Sequence, residues 1–378
     1  MKILRIADIP NNRTGGMSRV IYCGGDALAA MGHQVDYALG DQMHVGCLAS
    51  LRRFAIPLHV PKLVRRLQKE RGKYDVVEVH EPIAAPYCWQ RRRAADLPPV
   101  VILSHGSEAR GRQKQIEYKR QKGMPISFRE RNIPLVAWQA MYAMRHADQV
   151  LCLNSLDQEF LISAGVAPDA ITLLSNGVDA EMLHYPYDRA QMDVTDFLFL
   201  GTWIMRKGII EVAAAMTRVM DQRPKVTFTE AGFGVPDEAV RASFPSRLLP
   251  RLTLVQKIEG AQAIAGLYRK HQVFVLPSYF EGQPLVMLEA AALGLAIVAT
   301  DESGMHDFLE SGRDGILVPV GDSDALATQL LRLCDDPATT YRLGSAARQK
   351  VQSYTWANNA KTLLRAYEKA IDRSRTGK

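Results

Sequence analysis

Val273-Phe274-Val275-Leu276-Pro277-Ser278-Tyr279-Phe280-Glu281-Gly282-Gln283-Pro284-Leu285-Val286-Met287-Leu288-Glu289-Ala290 reads as a buried strand, a loop and a helix in succession. The strand is the unbroken apolar run ending at Leu276, a pattern that belongs to parallel sheets covered on both faces. Proline lacks a backbone donor and suits the first helical turn, so Pro284 predicts a helix start with Glu281 and Gly282 in the preceding loop. Glu289 then falls in the second turn. Two carboxylates with seven residues between them flank one helix N-terminus. The free amides near Gly282, Gln283, Pro284 and Leu285 offer a site for an anion or for sugar hydroxyls. A carboxylate beside them can accept hydrogen bonds from vicinal hydroxyls. The plainer reading is a strand followed by an ordinary helix with one exposed glutamate at each end.

The same alternation of short apolar runs and longer amphipathic stretches extends in both directions. Strand candidates are Ile3 to Ala7, Val35 to Ala38, Val76 to Val79, Val100 to Ser104 and Gln149 to Leu153. A second set is Phe197 to Leu200, Val226 to Glu230, Leu252 to Val255, Val273 to Leu276, Ile297 to Thr300 and Gly315 to Val318. Two such sets imply two doubly wound α/β units, and 378 residues exceed what one core usually supports. Apolar periodicity lapses between Leu183 and Val194, which places a first domain at 1–185 and a second at 186–354. The closing helix, within 355–378, is free to cross back to the first domain.

Three further motifs follow predicted strands. Gly201-Thr202-Trp203-Ile204-Met205-Arg206-Lys207-Gly208 opens a helix, with Arg206 and Lys207 placed to reach phosphates. Arg13-Thr14-Gly15-Gly16-Met17-Ser18-Arg19 is a turn in which adjacent glycines permit close backbone approach to a ligand. Ser104-His105-Gly106 ends a strand, where open α/β sheets present functional groups. Read singly, these are also a basic loop tip, a common turn and a structural histidine.

Together with Asn176-Gly177-Val178-Asp179, Ala147-Asp148 with Ser155, and Asp314-Gly315-Ile316-Leu317-Val318, these pieces resemble glycosyltransferase family 4 over nearly the whole chain. The resemblance implies a GT-B fold, two Rossmann-like domains facing a deep interdomain cleft, and a retaining hexosyltransferase using a UDP- or GDP-sugar. It implies that Glu289 binds the ribose, that Glu281 and the amides of Gly282 to Leu285 hold the donor sugar, and that Lys207 binds the diphosphate. Gly15 and Gly16 would meet that diphosphate from the first domain, and His105 the sugar near its reacting carbon. Backbone around Lys257 and Ile258 would contact the base. Family members usually carry arginine where this chain has Thr202, and Arg206 is the candidate to supply that charge.

Composition narrows the partners. The five cysteines form no Cys-x-x-Cys pair, which suits reduced thiols in the cytoplasm. Arg5 and Asp8 interrupt the N-terminal apolar run too early for a signal peptide, and nothing approaches the apolar length of a membrane span. A net charge of +7, with basic clusters in the first half (Arg52 to Arg71, Arg91 to Arg93, Lys114 to Lys122), is either solvated helix surface or a face for anionic lipid or a phosphate-bearing acceptor. No nucleic-acid motif accompanies it. The basic segment Glu108 to Asn132 reads as a loop or helix at the acceptor mouth. Asp322-Ser323-Asp324 resembles a metal-binding pair but precedes an Ala-Leu helix, so Asp322 is expected to be an N-cap and no metal cofactor is expected. A nicotinamide dehydrogenase lacks its GxGxxG here. The rival readings are a nucleotide-sugar epimerase or hydrolase, and a non-catalytic glycan-binding subunit.

Overall fold

The computed structural model describes residues 1–13, 15–43, 46, 52–94, 96–127, 130, 135–185, 193–258 and 260–376, without the side chain of Asp41. Residues 1–177 and the helix Trp356–Thr376 make one compact unit, and residues 178–355 make the other.

The first unit holds β1 (Lys2–Ile6), β2 (Gln34–Ala38), β3 (Val76–His80), β4 (Val100–Leu103), β5 (Gln149–Cys152) and β6 (Ile171–Leu173) in the order β2-β1-β3-β4-β5-β6, all parallel. Successive residues feed opposite cores, as strand geometry requires. Leu4, Ile6, Val77, Val79, Val100 and Ile102 enter one, while Ile3, Val76, Val101, Leu103 and Leu151 enter the other. The helix Trp356–Thr376 closes the second core with Leu363 and Tyr367.

The second unit holds β7 (Asp196–Leu200), β8 (Thr227–Ala231), β9 (Leu252–Val255), β10 (Val273–Leu276), β11 (Ala296–Thr300) and β12 (Ile316–Val318) in the order β12-β11-β10-β7-β8-β9, again all parallel. Phe197, Phe199, Phe228 and Val275 face one core, and Leu198, Phe274, Leu276 and Ile297 the other. Every strand read from the sequence is present with its ends within one residue. The strand not anticipated is β6, three residues at a sheet edge with Leu173 exposed, too short to carry a periodic signal.

The unit boundary falls at Gly177/Val178, ahead of the expected 185/186. The short helix Ala180–His184 explains the difference, because Met182 and Leu183 are buried in the second unit's core. Arg348 fixes the end of that helix by donating to the carbonyls of Leu183 and Tyr185 at 3.3 and 2.6 Å. Residues 186–192 of the expected break lie outside the described residues.

In each sheet the chain winds outward from the middle in both directions. The reversal lies between β1 and β3 in the first unit and between β7 and β10 in the second. Loops leaving the carboxyl ends of such strands diverge and leave a crevice, the usual ligand position in doubly wound sheets.

Candidate functional site

In the second unit the two motifs with the strongest sequence signal leave neighbouring strands, β7 and β10. Their loops are locked together. Gly208 has φ +73°, and a Cβ there would stand 2.1 Å from the Pro277 carbonyl oxygen, so only glycine permits this approach. Tyr279 N–H donates to the Arg206 carbonyl at 3.1 Å, and the Arg206 guanidinium donates to the Phe280 carbonyl at 2.8 Å. Lys207 Nζ stands 2.6 Å from Glu281 Oε1, with Arg206 3.1 Å from the same oxygen. Burial pushes the Glu281 carboxyl up, but the charges of Lys207 and Arg206 outweigh it and hold the group below its ordinary value. Arg206, read from the sequence as reaching phosphates, is thus engaged with Phe280 and Glu281.

Pro284 is the N-cap residue rather than part of the first turn, and the helix runs Leu285–Ala292. Glu281, Gly282, Gln283, Pro284 and Leu285 are all buried. Glu289 falls in the second turn as expected, but it is not an exposed helix residue: it is 2% exposed, and the Tyr268 hydroxyl donates to its Oε2 at 3.0 Å. The loop after β11 braces the other side. Gly304 N–H donates to the Gly282 carbonyl at 2.8 Å, and a Cβ on Gly304 would stand 2.3 Å from that oxygen. Ser303, with φ +52°, is the one non-glycine residue at positive φ among the described residues. Its amide and hydroxyl both donate to Glu302 Oε1, which holds this sparsely populated conformation.

In the first unit, Gly15 is the N-cap of the helix Gly16–Ala30 and has φ +88°. Both glycines are exposed, and nothing stands within 4 Å of where a Cβ would be on either. Thr14 of that motif lies outside the described residues. His105 follows β4 on a loop pinned from both sides. Ser104 Oγ donates to Glu81 at 2.6 Å, and Ser107 N–H donates to Asp157 at 3.0 Å. Burial raises Glu81 to about 8. His105 Nε2 lies 2.7 Å from His80 Nδ1. Burial and the neighbouring His80 push His105 well below its ordinary value, so its ring is neutral at pH 7.

Ile258 follows β9 and packs partly buried against the second unit's core that holds Leu198 and Phe274. Asp322 caps the helix Ser323–Asp335, accepting from Ala325 N–H at 2.8 Å. The segment after His105 is a helix, Glu108–Gln121, capped by Ser107; residues 128, 129, 131 and 132 lie outside the described residues. Tyr268, Ser303, Gly304, Glu78 and His80 carry no motif of their own. Their part in the two crevices emerges only from contacts across 20 to 30 residues or more, apart from the Glu78 and His80 pair on β3.

Residues 14–182 match the family model Glycosyltransferase Family 4, and residues 195–336 match Glycosyl transferases group 1. The chain is a family 4 glycosyltransferase. This glycosyltransferase is 27% identical over 308 residues to glycogen synthase of Mycobacterium tuberculosis, spanning 80% of the present chain and 71% of that protein. It is 26% identical over 314 residues to phosphatidyl-myo-inositol mannosyltransferase of Mycolicibacterium smegmatis, spanning 82% and 75%. Its fold is that of sucrose-phosphate synthase from Thermosynechococcus elongatus, with a TM-score of 0.79 at 21% identity over 98% of this chain and 99% of that one.

Proposed function

We propose that this glycosyltransferase takes a hexosyl unit from a UDP- or GDP-sugar and passes it, with retention, to a hydroxyl of a glycan, lipid-linked or small-molecule acceptor in cell-envelope polysaccharide synthesis. The observation carrying this reading is the Lys207–Glu281 pair on two adjacent strand ends, with buried Glu289 held by Tyr268 on the helix that follows. As the glycosidic bond breaks, the departing diphosphate gains negative charge, which Lys207 and the amides of Gly282, Gln283 and Leu285 stabilise. Glu289 accepts from the two ribose hydroxyls, and Glu281 orients the sugar. His105 is assigned to the sugar, and the open amides of Gly15 and Gly16 to the phosphates. The acceptor hydroxyl attacks on the face the diphosphate leaves, and that phosphate takes its proton.

Lys207 and main-chain amides supply the charge that a metal ion would otherwise bring, so no metal cofactor is assigned. Full turnover in EDTA is the expected result; loss that manganese restores would contradict it.

The acceptor side fits a cytoplasmic enzyme bound peripherally at the inner membrane face. No helix among the described residues is long and apolar enough to cross a membrane. Leu58, Trp89 and Trp138, all about half exposed or more, line a cavity of about 700 Å³ together with Arg92 and Arg93. Tryptophan favours the lipid interface and arginine pairs with anionic headgroups. Co-sedimentation with phosphatidylglycerol vesicles but not phosphatidylcholine vesicles tests this.

The donor is tested by thermal shift against a panel of UDP- and GDP-sugars, since a ligand that prefers the folded state raises Tm. Mass analysis of products then separates transfer from hydrolysis. Free sugar as the sole product, with every acceptor class supplied, would refute the reading.

A further inference from the structure

Glu78 and His80 are alternate residues of β3 and share one face of the sheet. Both are fully buried. Glu78 Oε1 accepts from Arg5 on β1 at 2.7 Å and faces His80 Nε2 at 2.8 Å, while Oε2 accepts from the Tyr367 hydroxyl at 2.5 Å. Burial alone would push Glu78 up, but Arg5, His80 and Tyr367 overcome it and hold the carboxyl well below the usual range. Glu78 is therefore an ionised acceptor. Burial pushes His80 down, so its ring is neutral and carries one N–H.

The proton of His80 must sit on Nε2, because an ionised carboxylate cannot donate. Nδ1 of His80 is then a lone pair. The 2.7 Å contact from Nδ1 to His105 Nε2 can be a hydrogen bond only if His105 donates from Nε2. The two rings are tilted by 18° with an N···N contact too short for face-to-face stacking, so they meet edge to edge as such a bond requires. His105, also neutral, is left with its lone pair on Nδ1. That nitrogen makes no hydrogen bond among the described residues, and the residue keeps part of its surface exposed.

We infer that Glu78 and His80 are positioning residues that hold His105 in one neutral tautomer, with Nδ1 offered as a hydrogen-bond acceptor to a hydroxyl of the donor sugar. The inference rests on the proposed assignment of His105 to the donor. A neutral acceptor suits that place, since the sugar carbon becomes cationic as the diphosphate leaves and an imidazolium would oppose the charge. The Arg5–Glu78–Tyr367 network explains why a buried carboxylate is retained there: it fixes the direction of the first hydrogen bond, and the others follow.

The test is the ring nitrogen-15 spectrum of uniformly labelled protein at pH 7, which distinguishes N–H from lone-pair nitrogen. His80 and His105 should each show a protonated Nε2 and a bare Nδ1. Protonated Nδ1 on His105, or averaged signals from interchanging tautomers, would overturn the inference. His80→Leu should release His105 into averaged tautomers and lower kcat about 10-fold or more with a smaller change in donor KM. His80→Asn, whose side-chain oxygen can stand in for Nδ1, should restore the single tautomer and most of kcat. An unchanged His105 spectrum in His80→Leu would overturn the role of His80. The wild-type spectrum decides even where the leucine variant does not fold. Should the tautomers be as inferred while His105→Ala keeps wild-type kcat and donor KM, the hydrogen-bond file stands and the assignment of His105 to the donor fails.

Discussion

Replacing Lys207 with methionine keeps much of the apolar stem and removes the charge. In the native protein Nζ is 2.6 Å from Glu281 Oε1, and the two side chains are 13% and 11% exposed. Stripping one partner from a fully buried pair costs roughly 3–5 kcal/mol. Here Arg206 remains 3.1 Å from the same oxygen, although 42% exposed. That residual partner and the partial solvent contact reduce the expected cost to about 1–3 kcal/mol. The pH dependence has a definite sign. Glu281 is held below its ordinary value of 4.5, so its ionised form contributes stability that is present above that pH and fades as pH falls through the lower folded value. Without Lys207, the upward push of burial gains ground. The stability gap between Lys207→Met and wild type should be widest near neutral pH and narrow below pH 4.5. Turnover should fall by roughly 100-fold or more, the scale for losing a group that stabilises a developing anion. Lys207→Met combined with Glu281→Gln should regain most of the stability and none of the rate. Calorimetric unfolding across pH 4 to 8 and nucleoside diphosphate release measure the two effects separately. Near-wild-type kcat in Lys207→Met would remove Lys207 from the mechanism, and a gap that widens on acidification would refute the electrostatic reasoning.

Gly208→Ala forces a left-handed alanine into the Pro277 carbonyl and should destabilise by about 3 kcal/mol, lowering Tm by roughly 5–10 °C; an unchanged Tm would mean that the β7 and β10 loops are not locked as described. Glu81 is raised to about 8 from 4.5, so the folded state resists its ionisation and loses stability as pH rises between those values. Glu81→Gln should therefore raise Tm at pH 8–9 and have little effect at pH 4, and equal effects at both would contradict the burial argument.

The strand segments and the placement of Glu281, Lys207 and Glu289 were legible because each belongs to a strand-loop-helix segment whose apolar run, proline and glycines lie within 20 residues. Physical necessity at short range leaves a pattern in the sequence. Bracing from afar does not. Tyr268 reaches Glu289 from 21 residues away, and His80 meets His105 across 25. Neither residue type at either spacing announces a partner. Gly304 was equally silent, since its need for glycine comes from the Gly282 carbonyl 22 residues earlier. The partners of Arg206 were hidden for the same reason: a basic residue beside Lys207 suggests phosphate, and only the fold shows the Phe280 carbonyl and Glu281 within its reach. The unit boundary moved because Met182 and Leu183 are apolar in a helix too short to show a period.

The central claim is that the carboxyl end of the second sheet holds the nucleotide. A crystal structure with the nucleotide sugar selected by thermal shift tests it most directly. The predicted result places the diphosphate against Lys207 Nζ and the amides after Glu281, with both ribose hydroxyls on Glu289. A nucleotide bound elsewhere, or one whose ribose makes no contact with Glu289, would contradict the account.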